Sequence, residues 1–174
     1  MTTLSSTTLD TPVGVLTLVA SDSGLRAVLW PGDRPERVRL DAIDGDSPAA
    51  RHVLDEATTQ LLEYFAGERT EFDVPLDAVG TDFQRQAWTV LSTIPYGRTI
   101  TYGEQAQSLG GANKSRAVGA ANGRNPISIV VPRHRVVGSD GSLTGFAGGV
   151  DTKAWLLQHE QAHSTSAGQQ TLWT

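Results

Sequence analysis

The spacing of the apolar residues changes along this chain, and that change limits the folds it can adopt. In the first third, short runs of β-favouring residues occupy 13–20 and 24–30, with a weaker run at 37–40. Asp-Ser-Gly and Pro-Gly-Asp sequences, which favour turns, separate these runs. The pattern predicts a small β-sheet built from neighbouring segments.

A helix is predicted after these strands. The apolar residues that recur near helical spacing are Val53, Leu54, Ala57, Leu61, Leu62 and Phe65. Ser47 followed by Pro48 predicts the start of this helix, and Gly67 predicts its end. Pro75 then breaks the pattern, so we place a boundary near residue 78 and expect an N-terminal domain over 1–78.

The remainder predicts a mainly helical domain over 79–162 and a polar tail over 163–174. Helical patterns cover 81–97, 101–111 and 115–125, and glycines close the second of them. The second and third helices flank a short glycine-containing break, which is the form of a helix-turn-helix. The fold class is therefore expected to be α+β, with a small sheet-plus-helix domain followed by a helical one.

The last part of this second domain contains three further elements. An apolar run at 127–131 predicts a buried strand or extended segment. Asp140-Gly141 predicts the turn of a hairpin. Residues 151–163 predict a closing helix with Trp155, Leu156 and Leu157 facing inward.

Composition indicates a soluble globular protein. Hydrophobic residues make up 39% of the 174, and no run approaches the roughly 18 apolar residues that cross a membrane. The first ten residues lack the features of a signal peptide, so we expect a cytoplasmic protein. Cysteine is absent, which excludes disulfides, thiolate metal sites and a cysteine nucleophile.

The charge is unevenly distributed around a formal net charge of −5. Residues 1–80 carry 6 basic and 14 acidic side chains, whereas residues 81–160 carry 8 basic and 5 acidic ones. No acidic residue lies between Glu104 and Asp140. Five basic residues do: Lys114, Arg116, Arg124, Arg133 and Arg135. One basic face on an acidic protein is compatible with a polyanion partner or with a chance cluster on a solvated surface.

Two patterns resemble cofactor sites but lack essential parts. His-Glu-Gln-Ala-His at 159–163 matches the zinc motif H-E-x-x-H, yet no His, Asp, Glu or Cys follows to supply a third ligand. A zinc hydrolase is thus a remote alternative. The glycines between 138 and 149 match no phosphate-binding motif and favour tight turns instead. We expect no cofactor and no metal.

Several motifs between Thr81 and Glu160 resemble the C-terminal domain of the O6-alkylguanine-DNA alkyltransferases. They are TDFQRQAW, IPYGRTITYGE, SRAVGAANGRNP, IVVPRHRVVGSDGSLTGFAGG and KAWLLQHE. The segment LLEYFAGERTEFDVPLD and the strands before it resemble the smaller companion domain of the same family. The resemblance thus covers nearly the whole chain.

The resemblance also identifies what is missing. That family moves an alkyl group from guanine onto the cysteine of a Pro-Cys-His-Arg sequence, and here the sequence is Pro132-Arg133-His134-Arg135. By resemblance, His134 and Glu160 are the residues that generate the thiolate, and Asn125 holds the active-site turn. Arg133 has donors but no acceptor and stays protonated, so we predict no transfer to residue 133.

The resemblance implies binding to the DNA minor groove. It assigns Arg116 to filling the duplex where the target nucleotide leaves, and Tyr102 to crowding the phosphate so that the nucleotide rotates outward. The residues assigned to DNA contact are Tyr102, Lys114, Arg116, Ala117, Gly119, Ala121, Asn122, Arg124 and Arg135. Surface or packing roles are the alternatives for Arg116 and Tyr102, and Arg135 is equally well interpreted as a structural anchor.

The base pocket is assigned to Val136, Phe146, Ala147 and Gly148. Ser128, Phe146 and Ala147 depart from the residues common in the family at these places. Arg133 leaves four possibilities: it pairs with Glu160, turns to solvent or phosphate, donates to the guanine, or blocks the pocket.

The expected function is that of the cysteine-free alkyltransferase-like proteins. The chain would bind DNA, flip out and sense O6-alkylguanine without alkyl transfer, and flag it for repair. The alternative is an alkyltransferase by origin that is inactive because it lacks the acceptor. Expected partners are double-stranded DNA containing O6-alkylguanine and nucleotide excision repair proteins, with no membrane association, and the protein is expected to be a monomer.

Overall fold

The computed structural model describes residues 3–143 and 145–172, with side chains as far as Ser164. The N-terminal part begins with three antiparallel strands, β1 (Ser5–Thr11), β2 (Gly14–Ala20) and β3 (Leu25–Leu29), in the order β1-β2-β3. The helix α1 (Pro48–Phe65) packs on this sheet. The expected sheet-plus-helix arrangement is confirmed.

Helix α1 begins where the sequence predicts. The hydroxyl of Ser47 accepts a hydrogen bond from the amide of Ala50 at 3.0 Å, and Pro48 occupies the first turn, where its missing N–H costs nothing. Its buried side chains include Leu54 and Leu61, which face the strands. Burying this apolar face, more than helix propensity, holds the helix in place.

The C-terminal part consists mainly of helices. They are α2 (Asp82–Leu91), α3 (Tyr102–Gln107), α4 (Ser115–Gly123) and α5 (Val150–Leu172). Thr81 and Thr101 each form a reciprocal capping box, with Gln84 and Glu104 respectively, and so fix where α2 and α3 begin. Two short strands, β4 (Ile100–Thr101) and β5 (Val136–Val137), pair in parallel. The mixed α+β fold class is therefore confirmed.

Four local expectations differ from the structure. The sequence does not indicate strand β1 because its buried side chains include only one large apolar residue, Leu9; its pairing with β2 defines it. The predicted strand at 37–40 is irregular. The segment 127–131 is not a strand but turns at Ile129, and Val136–Val137 pairs with β4 rather than in a hairpin.

Helix α5 is longer than expected. It continues to Leu172, so most of the segment expected as a polar tail is helical, and residues 173–174 lie outside the described part. Leu156 is fully buried, whereas Trp155 and Leu157 are only half-buried. None of the described helices combines the length and the apolar character that crossing a bilayer requires.

Candidate functional site

The loop between α4 and β5 holds a strained turn against the core. Ile129 has a φ of 72°, a left-handed conformation that β-branched residues rarely adopt. The side chain of Asn125 stabilises this turn: its Nδ2 donates to the carbonyl of Val131 at 2.9 Å, and its Oδ1 accepts from the amide of Ile127 at 3.0 Å. Residues Arg133–Arg135 follow as one short 3₁₀ turn, buried at all three positions.

Glu160, on α5, is the centre of a buried ionic cluster. Its carboxylate accepts from Nε2 of His134 at 2.6 Å, from Nε of Arg135 at 2.8 Å and from the hydroxyl of Tyr64 at 2.6 Å. The amide of Gly97 adds a longer hydrogen bond of 3.3 Å. The cluster joins α1, α5 and the 3₁₀ turn, so it ties both parts of the chain to the site.

The electrostatics of this cluster follow from its burial and its donors. Burial alone would raise the pKa of Glu160, but hydrogen bonds and positive charge from His134 and Arg135 outweigh it and hold this pKa far below its usual range. Burial lowers the pKa of His134 despite the neighbouring carboxylate. Glu160 is therefore ionised and His134 neutral at neutral pH.

His134 presents one unused nitrogen. Because the Glu160 carboxylate can only accept, Nε2 of neutral His134 is the donor, which leaves Nδ1 without its proton. Nδ1 is buried and has no hydrogen-bond partner among the described residues. The pair has the orientation of an acid–base dyad with a free acceptor.

Arg133 does not join this cluster. Its side chain lies with the guanidinium carbon 5.6 Å from the ring centroid of Phe146, and the residue is 9% exposed. Pairing with Glu160, one of the four possibilities, is wrong because that carboxylate is fully engaged by other donors. Burial lowers the pKa of Arg133, yet a guanidinium remains protonated at neutral pH.

A cavity of about 410 Å³ opens beside Arg133. Phe146 and Ala147 line it together with the end of α4 and the segment 32–37. Its size falls within the range of small-molecule sites, roughly 300–1,000 Å³. Two of the residues assigned to the base pocket thus face one cavity with Arg133.

The other two assigned pocket residues lie close by but play packing roles. Val136 is fully buried, and its carbonyl accepts from Nζ of Lys153 at 2.6 Å. Gly148 lies against Trp30, so a methyl group added there would come within 2.8 Å of the indole ring. Neither residue is among those that line the cavity.

The residues assigned to DNA contact divide into an exposed set and a buried set. The ones that solvent reaches are Tyr102, Lys114, Arg116, Ala117, Gly119 and Arg124. Tyr102 lies at the start of α3, close to Gly145, where an added methyl group would come within 4.0 Å of its hydroxyl. Apart from Tyr102 on α3, this exposed set lies on α4 and next to its two ends.

The buried set faces the interior and consists of Ala121, Asn122 and Arg135. The assignment of their side chains to direct DNA contact is therefore corrected. Ala121 packs in the core, and its carbonyl accepts from Trp88. Asn122 exchanges two hydrogen bonds with Gln105, at 2.8 and 2.9 Å, which joins α3 to α4. Arg135 donates to Glu160 and to the carbonyl of Ile94. Of its two interpretations, DNA contact and structural anchor, the structure supports the anchor.

Sequence reasoning missed the contribution of the segment 30–37 to the site. Arg37 pairs with Asp33 and donates to the carbonyl of Asn125 at 2.8 Å, while Arg124 donates to the carbonyl of Glu36 at 2.7 Å. Trp30 donates to the hydroxyl of Ser128 at 3.0 Å. The i,i+4 spacing of Asp33 and Arg37 was the one available local signal, since the other partners lie about ninety positions away.

The zinc-like motif is arranged around other contacts. His159 bonds to the carbonyl of Tyr64, His163 bonds to the carbonyl of His159, and Glu160 belongs to the ionic cluster. Within the described residues no group of three or more His, Asp or Glu side chains is placed to hold a metal.

Two family models match the chain. Residues 82–162 match the DNA binding domain of 6-O-methylguanine DNA methyltransferase, and residues 4–78 match the ribonuclease-like domain of the same family.

Curated relatives and solved structures agree with these matches. A methylated-DNA–protein-cysteine methyltransferase of Mycolicibacterium paratuberculosis is 46% identical over 92% of this chain and 94% of its own. One from Methanosarcina acetivorans is 44% identical over 87% of this chain and 94% of its own. The crystal structure of Mycobacterium tuberculosis OGT in complex with DNA has a TM-score of 0.80 and 45% identity, covering 90% of this chain and 92% of that one.

Proposed function

The chain belongs to the 6-O-methylguanine DNA methyltransferase family, and from that premise we propose that it binds duplex DNA and captures O6-alkylguanine without accepting the alkyl group. The bound protein then marks the lesion for repair, for example by nucleotide excision. This role combines the DNA-binding surface and base cavity of a transferase with the loss of its chemical step.

One observation carries this proposal: a protonated guanidinium occupies the acceptor position. Alkyl displacement needs a free electron pair on the attacking atom, and Arg133 offers only N–H donors. The chain contains no cysteine that could act in its place. The cation lies in the wall of a cavity rather than in solvent, which supports the proposal that a ligand binds there.

DNA binding is supported by the exposed cations around α4. Lys114, Arg116 and Arg124 are all exposed, and exposed Ala117 and half-buried Gly119 present little bulk between them. A helix with small side chains and flanking cations can approach a groove closely and contact phosphates. Rotating a nucleotide out costs a few kcal/mol, less where alkylation has already weakened the base pair.

A second candidate is an alkyltransferase by origin that has lost activity and has no separate role. The observation that favours it is the dyad of His134 and Glu160, which is intact at 2.6 Å although Arg133 offers it nothing to activate. The two candidates differ in binding: a sensor prefers damaged DNA, whereas a relic need not.

The deciding experiment compares two duplexes that differ only in O6-methylguanine against guanine, each at two salt concentrations. We expect tighter binding of the damaged duplex, with a preference that persists at the higher salt because phosphate contacts are common to both. Equal affinity for the two duplexes would remove the sensing function and leave general DNA binding. Arg51 is an exposed arginine on α1 that pairs with Asp46, away from the site. As a control, the variant Arg51→Gln should show the same preference for the damaged duplex.

A further inference from the structure

The cavity beside Arg133 carries an excess of positive charge. Four arginines line it, Arg34, Arg37, Arg124 and Arg133, against two carboxylates, Asp33 and Glu36. Asp33 is already paired with Arg37 at 2.6 Å. Two positive charges therefore remain in excess, and the wall of the cavity is suited to an anionic ligand.

Arg133 is the cation of this set that is buried without an opposite charge. The residue is 9% exposed, and its Nε is buried with no hydrogen-bond partner among the described residues. No carboxylate of the described part lies within ion-pair distance of its guanidinium. A buried charge without a partner is costly, so a ligand that neutralises it would stabilise this arrangement.

The free edge of this guanidinium faces the space between two glycines. A methyl group added at Gly145 would lie 3.5 Å from Nη2 of Arg133, and one added at Gly123 would lie 4.0 Å from it. The other side of the guanidinium rests on Phe146. One face of the guanidinium thus lies near an aromatic ring, and Nη2 lies beside two backbone positions that carry no side chain.

We propose that this cavity selects guanines whose O6 substituent ends in a carboxylate, such as O6-carboxymethylguanine, with Arg133 as the residue that determines this specificity. The inference rests on the proposed function, in which the O6 substituent of a captured guanine faces position 133.

The chemistry of the two groups explains the selection. A guanidinium presents paired N–H donors that match the two oxygens of a carboxylate, and such charge-assisted bonds are about twice as strong as neutral ones. A methyl substituent offers Arg133 no acceptor of its own and leaves its charge uncompensated. A carboxylate therefore gains from Arg133, whereas a neutral alkyl group only contacts it.

The experiment measures the affinity of the full chain for four duplexes of one sequence. They contain guanine, O6-methylguanine, O6-carboxymethylguanine or O6-carbamoylmethylguanine, the last being a neutral group of nearly the same size and shape as the carboxylate. We expect O6-carboxymethylguanine to bind roughly 10- to 100-fold more tightly than the carbamoyl form, the ratio for one hydrogen bond to a charged group.

Variants assign this preference to Arg133. Arg133→Gln keeps donor capacity without charge and is expected to bind the two isosteres equally, while Arg133→Lys keeps the charge and part of the preference. Arg51→Gln, on α1, is expected to change neither. Thermal unfolding of each variant confirms that it is folded.

Three outcomes would overturn the proposal. Equal binding of the two isosteres by the unaltered chain, with O6-methylguanine still preferred over guanine, rejects the anion selectivity and leaves the sensing function standing. Loss of affinity for all four duplexes in Arg133→Gln shows that Arg133 serves a backbone phosphate instead. Equal binding of all four by the unaltered chain rejects both proposals.

Discussion

The buried carboxylate of Glu160 is the group on which the electrostatics of the site depend most. Its carboxylate is buried and would be costly there without the donors of His134, Arg135 and Tyr64. The same contacts that make the charge tolerable also hold the 3₁₀ turn in place. Stability and site geometry therefore depend on one side chain.

The stability of the fold should depend on acid through this carboxylate. The pKa of Glu160 is lower in the folded protein than its ordinary value of 4.5, so below about that pH the unfolded chain binds more protons than the folded one. The contribution of Glu160 to the free energy of unfolding is therefore complete above this pH and is lost as the pH falls below it. We expect chemical denaturation between pH 6 and pH 3 to show this loss.

The variant Glu160→Gln tests whether this carboxylate causes the acid dependence of stability. The variant should lose about 3–5 kcal/mol at neutral pH because Arg135 stays buried without its partner, but it should lose less on further acidification. Glu68→Gln, at an exposed position, is the control. Parallel acid profiles for Glu160→Gln and the unaltered chain would contradict the role of this carboxylate.

The two hydrogen bonds of the Asn125 side chain are also expected to contribute to stability. Asn125→Ala removes the acceptor of the Ile127 amide and the donor to the Val131 carbonyl, and each buried group left unpaired costs about 1–3 kcal/mol. We therefore expect a clear drop in the midpoint of thermal unfolding. Asn113→Ala, at an exposed position before α4, should leave the midpoint unchanged; an equal effect of both would reject the role of Asn125.

Among the elements, α4 has one face that packs on other helices and one face that is exposed to solvent. Val118 and Asn122 face α2 and α3, whereas Arg116 and Ala117 are exposed. A short helix of small residues has little stability alone, so the buried pair of Gln105 and Asn122 fixes its position. The exposed face is then the one available for the proposed DNA contact.

Lys114→Ala measures the contribution of that face. Loss of one phosphate contact should weaken binding to damaged and undamaged duplexes alike and reduce the slope of log affinity against log salt by about 0.9. Filter-binding or anisotropy titrations at several salt concentrations give the slope. An unchanged slope would place Lys114 outside the interface, and Arg51→Ala supplies the baseline.

The elements also show what the sequence can and cannot predict. The starts of α1 and α2 follow from Ser47 and Thr81 because capping is local chemistry. Strand β1 and the turn at Ile129 depend on partners that are distant or irregular, so no periodicity indicated them. Resemblance placed Arg133 and His134 in the site, but the inward direction of Asn122 and Arg135 follows only from packing.

At the scale of the whole molecule, the N-terminal part contributes directly to the site. Tyr64 reaches Glu160, Trp30 reaches Ser128, and the segment 32–37 lines the cavity. Because these contacts join positions 98 and 96 residues apart, the two parts must fold against each other before the cavity exists. Residue 133 is therefore surrounded by a framework to which both parts of the chain contribute.

Restoring the acceptor should reveal whether this framework is complete. We expect Arg133→Cys to take up a methyl group from an O6-methylguanine duplex, because His134 has a buried acceptor nitrogen and remains bonded to Glu160. His134→Phe in the same background should abolish or strongly slow the uptake. A folded Arg133→Cys protein that stays unmethylated would show that the dyad is not placed to activate residue 133.

The most direct measurement is the intact mass of the unaltered protein after incubation with an O6-methylguanine duplex in excess. We expect no change in mass while the same mixture shows preferential binding of the damaged duplex, because the guanidinium of Arg133 has no electron pair to offer. A gain of one methyl group by the unaltered chain would contradict capture without transfer.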